Sequence, residues 1–346
     1  MKPTAIDLFS GPGGLTLGLK RAGFRVIGAI EVDVLAVETY KVNHQEVKVW
    51  TGDIRKVPVL GLMRALGLKK GELDLLAGCP PCQGFSSIRT LNGKRYIRDS
   101  SKKLIFEFLR FVEGLRPKTI MMENVPGLRS AMHFHEFVGR LEKMGYKVRH
   151  SVQNAGDYGV AQRRRRLILL AGKEKFIDWP QKATVCRTVR DAICGLPPHR
   201  KSGDPLHDFP EKRNKKVMSL IAAIPKDGGS RMDLGRSRQL RCHKILDGFK
   251  DVYGRMSWDS PSPTITGGCV NPSKGRFLHP FEDRAITLRE AALLQSFPKK
   301  YFFSIRRGKF PAAIMIGNAL PPEFIRRHAL KVKDFLSPLN VSTAQH

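Results

Sequence analysis

The sequence predicts an α/β fold of the Rossmann-like kind, a doubly wound sheet covered by helices, with a smaller domain inserted late in the chain. Short apolar runs recur at 4–9, 26–30, 47–50, 73–77, 119–122 and 167–170, most of them separated by stretches of helical periodicity. Glycine or a polar residue stands just past most of these runs. From about Cys186 to Asp259 the periodicity gives way to Pro, Gly, Lys and Arg, and order returns near residue 260. We therefore expect a main domain over 1–185, a small domain over 186–285 and a C-terminal segment, 286–346, that returns to the first.

The first run, Thr4 to Phe9, leads into Ser10-Gly11-Pro12-Gly13-Gly14 and then a helix carrying Leu15, Leu17, Leu19 and Ala22 on its way to Gly23. This is strand, glycine turn, helix. The second run ends at Glu31 and the third near Asp53; the fourth, 73–77, runs into Gly78-Cys79-Pro80-Pro81-Cys82-Gln83-Gly84. A helix follows near 101–115, with Leu104, Ile105, Phe108, Phe111, Val112 and Leu115 on one face and Ser100 or Ser101 as its cap. Run 119–122 ends at Glu123-Asn124-Val125, and run 167–170 is preceded by Gln162-Arg163-Arg164-Arg165-Arg166. Strands alternating with helices predict a parallel sheet, in which ligands bind beyond the carboxyl ends of the strands. Gly11, Glu31, Asp53, Cys82 and Glu123 converge there on this reading. A helix around 287–296, the turn Gly317 to Pro322 and a basic helix close the chain.

Composition narrows the function. Among 346 residues, 61 Lys and Arg against 31 Asp and Glu give a formal charge of +30, well beyond what solubility requires and indicative of a polyanionic partner, nucleic acid foremost. The excess is +11 over residues 1–150 and +19 over 151–346, which makes the second half the more heavily charged contact surface. No apolar run approaches the roughly 20 residues that span a bilayer, and no long apolar segment opens the chain, so a soluble, cytoplasmic protein with no membrane partner is expected. The six cysteines, at 79, 82, 186, 194, 242 and 269, lack the spacing of a zinc site; no metal is expected, and a reducing compartment is the simplest setting.

Two prolines restrict the backbone before Cys82 and Gly84 lets the chain turn away, an arrangement that presents a nucleophilic thiol. The stretch alone is equally compatible with a small buried hydrophobe. A redox pair of Cys79 and Cys82 suits the two prolines poorly. Gly11-x-Gly13-Gly14, with an acid 18 residues after Gly13, is an arrangement for a nucleoside cofactor: glycines for close approach and a carboxylate for ribose hydroxyls. Without a full G-x-G-x-x-G or a G-K-S/T, NAD and ATP are disfavoured.

Taken together, Asp7-Leu8-Phe9-Ser10-Gly11-Pro12-Gly13-Gly14, Pro80-Pro81-Cys82-Gln83, Glu123-Asn124-Val125, Gln162-x-Arg164-x-Arg166, Arg289-Glu290-Ala291-Ala292 with Gln295-Ser296-Phe297-Pro298, and Gly317-Asn318 run in the order of a known family. The chain resembles the DNA (cytosine-5)-methyltransferases of bacterial and archaeal type over nearly its whole length. That resemblance implies a Rossmann-like methyltransferase domain with an inserted target-recognition domain. It also implies S-adenosylmethionine in the glycine-turn pocket, with Phe9 against the adenine, Glu31 on the ribose, Asp53 on the adenine amino group, and Pro81, Leu104 and Asn318 lining the site. Cys82 would add to C6 of a cytosine flipped out of duplex DNA, a protonated Glu123 would bond N3, and Arg164 would hold the O2 edge. Burial beside strand 119–122 would help Glu123 keep that proton, while Asn124 and Arg166 position the loop and the base. Residues 83–101 would close as a lid, and basic segments 199–216 and 226–255 would meet DNA.

Cys79, where the family usually has glycine, and Ala161, where proline is common, are departures. A restriction endonuclease is an implied functional partner, and a nucleoid-associated location follows from the substrate. The alternatives are a tRNA cytosine-5 methyltransferase with the same core, and a silent nucleic-acid-binding protein of the same fold.

Overall fold

In a computed structural model, residues 1–81, 104–238 and 251–337 are described. The main domain is built on seven strands, β1 (Thr4–Leu8), β2 (Arg25–Glu31), β3 (Lys48–Thr51), β4 (Leu75–Gly78), β5 (Thr119–Asn124), β6 (Tyr146–Asn154) and β7 (Arg165–Lys173), in the spatial order β3-β2-β1-β4-β5-β7-β6. Strands β1 to β5 are parallel, but β7 runs antiparallel to both β5 and β6, so the sheet is mixed rather than parallel as expected. The physical reason is the connection: β6 turns into β7 through a short 3-10 segment, Ala155–Tyr158, with no room for a crossover helix. Strand β6 left no apolar run to read because it is an edge strand; only Tyr146 is buried, and Lys147 and Arg149 keep its edge charged.

The two-residue period of the strands sorts their side chains into two cores. Ile6, Leu8, Ile30, Leu76, Ile120, Met122, Leu167 and Leu169 face one side, against α3 (Val59–Leu66), α4 (Leu104–Leu115) and α5 (Met132–Lys143). Ala5, Val26, Ala29, Leu75, Ala77, Met121, Ile168 and Leu170 face the other, against α1 (Gly14–Arg21), Tyr40 of α2 (Val34–Asn43) and α10 (Pro322–Leu336). Burying roughly 1.5–3 kcal/mol per large aliphatic side chain on both faces fixes the register, since a one-residue slip would exchange the two sets. The described part of the helix expected near 101–115 is α4; its cap at Ser100 or Ser101 lies outside the described residues.

Beyond the sheet are α6 (Val189–Ile193), α7 (Lys215–Ala223), α8 (Leu288–Leu294) and α9 (Lys309–Asn318). Val189, Ile193, Leu206 and Ile265 share one core with Leu288, Ala291, Phe297 and Ile316. A separate buried cluster is formed by Ile221, Ile224, Leu234, Val252, Tyr253 and Leu278. At its centre the fully buried Arg255 donates to the carbonyls of Ile221, Ile224 and His279 at 2.8–3.1 Å.

Candidate functional site

The strand order reverses between β1 and β4: β2 and β3 extend one way, β5 and β7 the other. At such a switch point the turns after the two central strands diverge and leave a crevice. The turn after β1 and the residues after β4 and β5 meet there.

Phe9 and Gly11 both take left-handed backbone conformations, with φ of 60° and 53°, so the chain turns sharply out of β1. A Cβ on Gly11 would meet nothing within 4 Å, whereas one on Gly14 would lie 2.3 Å from the Leu320 carbonyl and one on Gly13 2.5 Å from His44. The three glycines therefore divide their work: Gly13 and Gly14 permit packing within the protein, and Gly11 leaves open space. Tyr301 braces the turn by donating to the Pro12 carbonyl at 2.7 Å and contacting His44 Nε2 at 2.9 Å. Burial pushes His44 down to about 4, so it stands neutral beneath the turn.

Glu31 meets the turn directly. Its Oε2 accepts from Gly11 N–H at 2.7 Å and its Oε1 from Val32 and Asp33 N–H at 2.9 and 2.8 Å, while burial raises its pKa against these bonds. A carboxylate held by backbone beside an open glycine turn suits a nucleoside bearing free hydroxyls. Asp53 caps a short 3-10 turn, and both its oxygens are engaged by Arg55 at 2.9 Å. Phe9 and Leu104 lie half-buried against the first core, while Pro81 and Asn318 are exposed.

Cys82, like residues 83–101, lies outside the described residues. The chain leading to it is anchored, because Asn124 Nδ2 donates to the Pro80 carbonyl at 2.8 Å. Glu123 is 2% exposed at the end of β5. It continues the face of Met121, and in the antiparallel register it pairs with Ile168, which makes Arg166 its diagonal neighbour on the same face. Arg166 Nε stands 2.9 Å from Glu123 Oε1. This contact is an ion pair rather than a directed hydrogen bond, and Oε1 is buried with no hydrogen-bond partner among the described residues. Glu123 Oε2 accepts from the Cys79 thiol at 2.7 Å.

Arg164 departs from expectation. Its guanidinium donates to the carbonyls of Ile265, Gly317 and Ala319 at 2.9, 3.0 and 3.3 Å, and burial lowers its pKa to about 9, which leaves it charged at neutral pH. Its Nη1 and Nη2 tie the loop around Ile265 to the end of α9, while its buried Nε has no hydrogen-bond partner among the described residues, and Arg166 is the arginine that stands against Glu123. Gln162 supports the same tie by accepting from Ile265 N–H at 2.9 Å. The parity of β7, read backwards from Leu170 and Ile168, would have placed both arginines on the Glu123 face; which one reaches it depends on the C-terminal segment.

Among the described residues no group of three or more His, Cys, Asp or Glu is placed to hold a metal, and no helix is long and apolar enough to cross a membrane. A separate cleft of about 830 Å³, lined in part by Arg21, Lys182, Phe297 and Arg327, holds none of Gly11, Glu31, Asp53, Glu123, Arg164 and Arg166.

The family model for C-5 cytosine-specific DNA methylases matches residues 4–334. The Type II methylase M.HgiDII of Herpetosiphon aurantiacus is 36% identical, covering 98% of both chains. The Type II methyltransferase M1.HphI of Haemophilus parahaemolyticus is 34% identical over 93% of this chain and 84% of its own. In structure, a DNA modification methyltransferase encoded within an E. coli prophage superimposes with a TM-score of 0.75 at 23% identity, over 97% of this chain and 99% of that one, and so supports the fold.

Proposed function

Since this chain belongs to the C-5 cytosine-specific DNA methylase family and is a DNA cytosine-5 methyltransferase, we propose that it uses S-adenosylmethionine to methylate a cytosine flipped out of a specific duplex sequence, through a covalent bond from Cys82 to C6. The observation that carries the proposal is the carboxyl of Glu123, buried at the switch point with one oxygen lacking a hydrogen bond among the described residues, on the strand that also anchors the Pro80 carbonyl.

The residues present fit the cofactor: Gly11 leaves room at the turn and Glu31 offers a fixed carboxylate to ribose hydroxyls. When bound, it supplies an electrophilic methyl group. Phe9 would lie against the adenine, and Pro81, Leu104 and Asn318 would line the pocket. Asp53 already holds Arg55, so a bond to the adenine amino group would share its acceptors.

Cytosine C5 is a poor nucleophile until a thiolate adds at C6. Cys82 sulfur would form that bond, and the electron pair displaced towards N3 would be met by a proton held on Glu123, with the Arg166 guanidinium near the same carboxyl. Arg166 takes the place first given to Arg164, whose Nη1 and Nη2 are held by carbonyls. After methylation, loss of the C5 proton expels the Cys82 thiolate and restores aromaticity. The positive charge of the chain would neutralise DNA phosphates, and the small module around Ile221 and Tyr253 would read the target. The names of the relatives support a place in a restriction-modification system alongside an endonuclease.

The test is incubation of wild type and Cys82→Ala with labelled S-adenosylmethionine and unmethylated duplex DNA, followed by base-resolution mapping of 5-methylcytosine. Label at one recurring sequence, lost in Cys82→Ala, is expected. Label on tRNA in place of DNA, or equal label from both proteins, would contradict the proposal.

A further inference from the structure

Cys79 ends β4 where β5 delivers Glu123. The pairing of Gly78 with Met122 brings the next residues of the two parallel strands alongside each other, and Cys79 follows Ala77 on the face that Glu123 shares with Met121. Its backbone N–H is already used, donating to the Leu8 carbonyl at 3.2 Å, which fixes the direction of the side chain. Its thiol then reaches Glu123 Oε2 at 2.7 Å. The two oxygens of the carboxyl are thus treated differently: Oε2 receives a hydrogen bond from sulfur, whereas Oε1 faces Arg166 and accepts no directed bond among the described residues.

From this geometry we infer that Cys79 is a positioning residue for the methyl-transfer chemistry, holding the Glu123 carboxyl by Oε2 so that Oε1 is the oxygen presented to the base. The inference rests on the functional reading above and adds a chain-specific element to it, because glycine at 79 has no side chain to donate. The thiol is suited to the task. Burial first, and the adjacent Glu123 second, push its pKa well up, so it remains S–H, a donor, while Arg166 and Arg164 only partly oppose this. The charged and titratable groups around Glu123 among the described residues are then Cys79 from β4, Arg166 from β7 and, at longer range, Arg164.

A donor to a carboxyl favours its ionised form. The functional reading requires the protonated form, so the thiol sets where the alkaline side of the rate profile falls. The experiment measures kcat and KM for methyl transfer to duplex DNA from about pH 6 to 9 for wild type, Cys79→Ala and Cys79→Ser, with melting temperature as a control. In Cys79→Ala the KM values for DNA and cofactor should stay within about twofold. Its alkaline limb should move up by about one pH unit, a tenfold change in proton affinity. Cys79→Ser, which restores a donor, should bring the limb back towards wild type. A Cys79→Ala profile superimposable on wild type overturns the inference. So does an equal, pH-independent loss in both variants with lowered melting temperature, which would mark Cys79 as packing only. If wild type transfers no methyl group to DNA, the functional reading falls and takes the inference with it.

Discussion

Arg164 and Arg166 leave the same end of β7 two residues apart and meet opposite surroundings. Arg164 is 2% exposed and gives its donors to three backbone carbonyls from two distant segments. Arg166 donates to the Arg165 carbonyl at 2.8 Å and faces the buried Glu123 carboxyl, one of whose oxygens has no hydrogen bond among the described residues. Arg164 makes the more bonds of the two, although its Nε, like Glu123 Oε1, has no hydrogen-bond partner among the described residues. Polar networks with many bonds specify structure, and a buried polar atom without a partner costs about 1–3 kcal/mol. The same contrast separates two larger regions: the tie between the C-terminal segment and the main domain, and the sheet end at Glu123.

The largest effect should come from cutting the tie. Arg164→Ala would leave the carbonyls of Ile265, Gly317 and Ala319 without this donor and open a cavity, and we expect a loss of about 4 kcal/mol in denaturant unfolding. A wild-type unfolding midpoint would break the comparison.

The next effect concerns Glu290, which completes a capping box with Thr287 and accepts two bonds of 2.8 Å from Arg284. Although burial opposes it, these bonds hold Glu290 at about 2 against an ordinary 4.5. A depressed carboxyl contributes stability that is full above about pH 4.5 and lost as pH falls through about 2. Glu290→Gln should therefore cost about 3 kcal/mol at neutral pH, and the gap to wild type should narrow on acidification. A gap independent of pH from about 2 to 7 would argue against the ion pair as its source.

The last effect, small near pH 5 and growing with pH, lies at the sheet end. Burial raises Asp7 to about 7, with hydrogen bonding from Thr16, whose hydroxyl donates at 2.7 Å, opposing the rise, Glu31 adding to it, and Oδ1 without a hydrogen-bond partner among the described residues. A raised acid binds more protons in the folded state than in the unfolded one, so its contribution to stability falls as pH rises from about 4 to 7. Asp7→Asn cannot ionise, and its stability relative to wild type should improve by about 1.4 kcal/mol per pH unit within that window. Parallel pH curves for the two proteins would sharpen the comparison by removing Asp7 from the strained set.

Much of this was legible before folding. Apolar runs located six of the seven strands because burial on both faces writes continuous hydrophobic segments, and the glycine turn and Glu31 meet as the spacing implied. Strand β6 was not legible, since an edge strand needs no apolar run, and with it went the antiparallel direction of β7. The site divided in the same way. Glu123 could be read from its own strand, but the roles of Arg164 and Arg166 depend on Ile265, Gly317 and Ala319, about 100 to 155 residues later, which no local pattern announces. The thiol of Cys79 stood out as a departure from a family pattern and as half of a disfavoured redox pair; its partner came from the register of β4 and β5.

The central claim is that Arg166 serves the chemistry while Arg164 holds the fold. It is tested most directly by single-turnover methyl transfer with Arg166→Ala beside Arg164→Ala, each corrected for its folded fraction. The account predicts a loss of about 100-fold or more in the Arg166 variant, the scale of removing one group that stabilises developing charge. It predicts a near wild-type rate for the folded fraction of the Arg164 variant. A wild-type rate in Arg166→Ala, with the loss appearing in folded Arg164→Ala instead, would contradict it.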